Sequence, residues 1–317
     1  MSTPVSPVTA SAPLDAAQLA IEHARANLFP FRLERWLALG FVAFLDQCGR
    51  SGGMGFNVPG PGGVGNGDGS GADVEAGLAW LAAHVLLVSV IAAVVLAFVV
   101  AFTAFVLWVN SRGVFMYADL VASGRSDVAR PWRAHAAHAS SYFAWSFGLA
   151  AGTLTAVLLL VLSIAAVVLM MVRGKPPAMA AGIVVVIGLV MLLLVVALFA
   201  VLASVALRDF VAPLQMVSGR PCGDAIHLFL ALLRAHPGVF LVYVLLKLVF
   251  TMAIGIAALV VGCCTCCLGF LPVVAQTILQ PAYYFERAWP LHVLRRLGYD
   301  LFPTVAGDPV LPALPLP

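Results

Sequence analysis

Charge is what this sequence has least of. Only 10% of its 317 residues are Asp, Glu, Lys or Arg, where a soluble domain carries roughly 25%, and 62% are hydrophobic. So few polar groups cannot make a soluble exterior, so lipid is the solvent for most of the surface. The apolar runs are continuous, which excludes a transmembrane barrel, whose strands alternate apolar and polar residues over about ten positions. Lysine occurs only at Lys175 and Lys247, against fifteen arginines, and the formal net charge is +3. That balance is too small, and its arginines too dispersed, for a nucleic-acid partner. Catalytic signatures are missing as well. There is no Gly-x-Ser-x-Gly, no His-Glu-x-x-His, and no glycine loop ending in Gly-Lys-Ser/Thr. Residues 1–13 form a Ser/Thr/Pro/Ala tail without an apolar centre, so membrane insertion is expected to rest on internal helices.

What is present is a set of long apolar stretches. They predict an all-α polytopic transmembrane bundle of about six spans, at 36–48, 78–109, 142–172, 178–207, 239–262 and 268–285, with amphipathic helices lying at the interface. The first is short, about 20 Å at helical rise, and reaches hydrocarbon thickness only if Arg32, Glu34 and Arg35 snorkel. The last contains Pro272 and Pro281. Residues 14–302 read as one transmembrane domain, with a glycine-rich outer loop at 49–77 and a Pro-rich tail at 303–317.

Counting cations sets an orientation. With both termini inside, thirteen arginines fall in inner segments, against Arg50, Arg173 and Lys175 outside. If the first stretch does not span, the balance drops to ten against six. The positive-inside rule therefore predicts a multi-pass protein of the bacterial inner (cytoplasmic) membrane with cytoplasmic N- and C-termini. A repeat supports the same insertion. Arg112 is followed by Ser123, Gly124 and Arg125, and Arg208 by Ser218, Gly219 and Arg220, each before an amphipathic stretch. With 14–28 as a third amphipathic element, the chain reads as three units of interfacial helix plus hairpin.

Three constellations could carry chemistry. Lys247 is the one ionised side chain well inside an apolar stretch, about 13.5 Å deep counted from Gly238. No carboxylate is expected inside any span to pair with it. Gln276 and Gln280, one helical turn apart, would make a polar seam with it, Thr277 and Tyr284 nearby. The plainer reading is a snorkelling lysine and glutamines bonding between helices. Cys263, Cys264, Cys266 and Cys267 contain two overlapping Cys-x-x-Cys spacings, with Cys48 predicted at the same face; they suit a metal, a disulfide or thiol exchange. Four thiols within five residues cannot converge on one ion in a regular helix, so small apolar packing residues are the competing reading. Arg130, Trp132, Arg133 and His135, with His138 and Tyr142 at helical spacing, suit anionic lipid headgroups or an interfacial aromatic belt.

The stretches WVNSRGVFMYAD at 108–119, RDFVAP at 208–213 and LQPAYYF at 279–285 give a family resemblance. On them the chain resembles uncharacterised bacterial six-helix membrane proteins related to the membrane domain fused to some glycerophosphodiester phosphodiesterases. The resemblance implies a membrane module covering about 15–298. It carries over no catalytic residue, since no phosphodiesterase domain accompanies the motifs. The leading functional reading is a non-enzymatic module, without a cofactor, that binds membrane lipid, a protein partner or a second copy of itself. Its rivals are a small transporter or channel using the Lys247 seam, and a thiol-redox or lipid-modifying enzyme.

Overall fold

The computed structural model describes residues 11–48, 83–173, 176–265 and 273–302, and every regular element among them is helical. In chain order these are α1 (Ala12–Leu28), α2 (Leu33–Gln47), α3 (Val85–Ser123), α4 (Ala129–Ala134), α5 (Ala136–Arg173) and α6 (Pro176–Ala206). A π-helical turn (Leu207–Val211) then leads into α7 (Ala212–Ser218), followed by α8 (Cys222–Ala235), α9 (Pro237–Cys264), α10 (Val274–Ile278) and α11 (Gln280–Arg296).

Four of these rods are long and apolar enough to cross a membrane: Val85–Ser123, Ala136–Met171, Ala180–Ser218 and Pro237–Cys264. Six spans were expected. The stretch 36–48 lies in α2, whose 15 residues extend only about 22 Å. The described part of 268–285 is divided between the five-residue α10 and the start of α11, with the break at Leu279 just before Pro281. Proline has no amide hydrogen and crowds the preceding turn, so a helix restarts there instead of running through. The glycine-rich loop at 49–77 and both tails, apart from residues 11–13, lie outside the described residues.

The rods do not stop where their apolar stretches stop. α3 continues past Asn110 and Arg112 to Gly124, where φ is +66°, and α7 ends at Gly219 with φ +67°. α11 is followed by Gly298 with φ +91°. Left-handed backbone at that place favours glycine and ends a helix. Arg112, Arg208 and Arg287 precede these glycines by twelve, eleven and eleven residues, so each of three units closes in the same way. Each unit also opens with an amphipathic helix, namely α1, α4 or α8.

Packing divides the molecule in two. At one end α1 lies along α11 and α2 along α3. The α1 contact is an alanine stripe, Ala12, Ala16, Ala20 and Ala24, ending at Leu28; i, i+4 spacing puts all five on one face. α8 buries Cys222, Ala225 and Phe229 and partly covers Ile226 and Leu233, while Leu230 is exposed. At the other end, the most apolar windows of α3, α5 and the α6–α7 rod bury none of their residues inside the protein, and that of α9 buries 6%. Surfaces of that kind are stable only in lipid.

Candidate functional site: a buried charge network

Six ionisable side chains meet in the packed half: Asp46 from α2, Arg208 and Asp209 from the π-helical turn, Lys247 from α9, and Glu286 and Arg287 from α11. All are buried. Arg208 carries the centre. Its Nε donates to both oxygens of Asp46 at 3.2 Å, and its Nη2 makes a further short contact with Asp46 Oδ2. Nη1 of the same guanidinium lies 3.0 Å from Glu286 Oε1 and 3.3 Å from Asp209 Oδ1. Lys247 Nζ sits 2.9 Å from Glu286 Oε1 and 3.0 Å from Asp209 Oδ2. The Tyr243 hydroxyl donates to that Asp209 oxygen at 2.8 Å. Arg287 donates to the carbonyls of Arg208, at 2.9 Å, and Val114, at 2.6 Å, and its Nη1 lies 4.0 Å from Asp209. Three carboxylates therefore face three cations, and the formal charge closes at zero.

Local structure explains how adjacent residues can share this core. The π-helical turn widens the rod by one residue, and all five of its side chains, Leu207 to Val211, are buried. Insertions of this kind recur at functional positions. α2 reaches the network because Gly113 has no side chain. A Cβ there would collide with the backbone of Leu45 and Asp46. Asn110 Nδ2 then donates to the carbonyls of Asp46, at 2.6 Å, and Leu45, at 3.3 Å, both near the α2 C-terminus where carbonyls lack helical partners. A carboxylate at that end opposes the helix dipole, and the Arg208 guanidinium offsets it.

Lys247, expected to lack a carboxylate partner, has two. Carboxylates do reach it: Asp209 and Glu286 were assigned to segments beyond the spans, and the continuing helices bring them back to its level. Hydropathy averages over a window, so it cannot see that charges just past an apolar run stay in helical register and face protein. The adjacent opposite charges Arg208–Asp209 and Glu286–Arg287 were the available signal. Gln276 and Gln280 are both buried, but the ion pairs of Lys247 go to the carboxylates. Gln280 Nε2 donates to the Tyr117 hydroxyl at 3.1 Å, and the side-chain oxygens of both glutamines have no partner. Thr277 lies against Gly40 of α2, and Tyr284 donates to the Val121 carbonyl at 3.1 Å.

The other predicted groups lie elsewhere. Cys263 and Cys264 are free and exposed at the end of α9, and Cys48 is free and half-buried; Cys266 and Cys267 fall outside the described residues. Among the described residues no group of three His, Cys, Asp or Glu could hold a metal ion. Burial pushes the Cys222 thiol up to about 12, which leaves it unreactive. On α4, Arg130 and Arg133 are exposed, while Trp132 and the following His135 are half-buried; His135 lies 3.5 Å from Asp119. Arg112 packs between the rings of Trp108 and Trp132, at 5.5 and 5.3 Å, and donates to the Trp132 carbonyl at 3.0 Å. A second polar cluster joins α1 to α11. The His23 ring donates from Nε2 to the Val121 carbonyl at 2.8 Å, and it stands 5.6 Å from the ring of His292. Burial first, then His23, Arg295 and Arg296, lower His292 to about 3. Burial also lowers His23, against the opposing effect of the Val121 bond.

The fold and its network define a class: an all-helical membrane protein whose apolar rods converge on a buried, charge-neutral layer. More narrowly, the chain belongs to a family of unknown function, DUF7544, whose profile matches residues 11–297. No curated protein and no solved structure matches the chain.

Proposed function

We propose that this protein is a non-enzymatic, multi-pass module of the bacterial inner membrane that binds lipid at its arginine-rich end. The observation that carries the reading is the closure of the network. Six buried charges are spent on one another and on backbone carbonyls, so the packed half is a clamp joining α2, the α6–α7 rod, α9 and α11. A charge-balanced layer of this kind favours a fixed scaffold over a route for an ion, which would have to displace existing partners. The cations left unspent are surface arginines such as Arg130 and Arg133. The positive-inside rule puts that end and both termini in the cytoplasm, beside anionic headgroups. The resemblance to the phosphodiesterase-associated membrane domain fits a lipid-facing module, and no activity is drawn from it. Native mass spectrometry of the detergent-purified chain tests the reading: it is expected to release bound phospholipid. A chain that carries no lipid, or that retains a protein subunit in its place, contradicts lipid binding.

One observation favours a second reading, a transporter for a polar solute. The amide oxygens of Gln276 and Gln280 are buried without partners, which suits water or a polar solute. Proteoliposomes assayed with a broad solute panel would then show flux that Gln280→Leu abolishes. Absence of flux leaves the lipid module as the account.

A further inference from the structure

Beside the charge network lies a half-open cavity of about 300 Å³, lined by Phe41 and Leu45 of α2, Val109 and Met116 of α3, and Val128, Ala129, Trp132 and Arg133 at α4. Of its walls, α2 belongs to the network, and α3 is tied to α2 by the Asn110 bonds to the Leu45 and Asp46 carbonyls. Leu45 precedes Asp46, and Val109 precedes Asn110, so the clamp fixes the separation of α2 and α3 that keeps the cavity open. The lining is almost wholly apolar, with one cation. Its volume is at the small end for ligand sites, enough for part of one acyl chain and not for a whole lipid. The cavity also opens where the lipid-exposed length of α3 ends: Phe105 and Trp108 above it are exposed, as is Phe41 at its edge. An acyl chain could enter from the bilayer without crossing water. Arg133 lines the cavity and is exposed, as is Arg130 next to the lining residue Ala129, and no carboxylate of the described residues pairs with either. Arg112, by contrast, is held between two tryptophans. The free guanidiniums are the ones placed for a phosphate, whose geometry they match with paired N–H donors.

We propose that this cavity seats one acyl chain of an anionic phospholipid, with the lipid phosphate on Arg133 and Arg130. The inference rests on the lipid-module reading and assigns its site and headgroup class. The full-length chain, delipidated and then titrated by native mass spectrometry with phosphatidylglycerol or with phosphatidylcholine of the same chains, provides the test. Wild type is expected to retain phosphatidylglycerol in preference. Arg133→Ala should weaken that retention about fivefold, the effect of one basic residue near an anionic surface, and bring it towards the phosphatidylcholine level. Ala129→Phe fills the cavity from an exposed position and should abolish chain-dependent retention while leaving helicity and monodispersity unchanged. Because a bulky variant could disturb α4, phosphatidylglycerol bearing a diazirine in its acyl chain is photolysed on wild type as well, with crosslinks expected at 41–45, 109–116 and 128–133. Equal retention of both lipids overturns the headgroup assignment. Retention untouched by Ala129→Phe, or crosslinks confined to other helices, overturns the cavity while lipid binding stands. No retention of any lipid by wild type removes both.

Discussion

The same rods behave in two ways along their length. In the apolar half, glycines at 148 and 152 of α5 have nothing within 4 Å of where a side chain would stand, and large residues such as Leu194 and Phe199 are exposed. In the packed half, Gly113 meets backbone, Tyr117 and Tyr243 are fully buried, and charges are satisfied by neighbours. Hydropathy is highest where the protein makes fewest internal contacts, so composition locates the solvent and not the core. The organising interactions lie where the apolar signal fades.

The contrast can be broken most severely at Arg208. Arg208→Met leaves Asp46 buried without its partner and should cost about 3–5 kcal/mol, the usual penalty for an orphaned buried charge, read as a large fall in thermal midpoint in detergent. An exposed apolar change such as Leu194→Val should stay within about 0.5 kcal/mol. Next comes a matched pair of glycines. Gly113→Ala forces α2 away from α3 and should cost about 1–3 kcal/mol as an overpacked contact; Gly152→Ala, facing open space, should be neutral or mildly stabilising. Equal effects at the two glycines would dissolve the distinction between the halves.

A smaller effect is set by pH. His292 titrates at about 3 in the folded protein and near 6.5 when unfolded, so the unfolded chain binds the extra proton first. Its contribution is complete above pH 6.5 and is lost as pH falls from there towards 3, amounting to about 1–2 kcal/mol at pH 5. Thermal melts at pH 7.5 and 5 should show the loss, and His292→Phe should reduce it. A wild-type midpoint that does not move across this range contradicts the burial argument.

Much of the architecture was legible beforehand. Four apolar stretches became rods of membrane length, and the Ser-Gly-Arg matches marked two helix ends where glycine takes positive φ. Lys247 stood out because a lone charge in an apolar stretch demands partners. Its partners were not legible. Asp209 and Glu286 lie just beyond the apolar windows and Asp46 near the end of the short first one, and only long-range packing, through Gly113 and the π-helical turn, gathers them. The expected spans at 36–48 and 268–285 are not among the four membrane-length rods of the described residues, where their described parts form short helices.

The central claim is that the network is a mutually satisfied clamp, and a double-mutant cycle on Arg208 and Asp46 tests it most directly. Arg208→Met and Asp46→Leu each remove one charge; together they leave two carboxylates facing two cations. The account predicts that the double variant recovers most of the stability lost by either single change, a coupling of about 3 kcal/mol or more. Losses that simply add would show that the two side chains act independently, and would contradict the clamp.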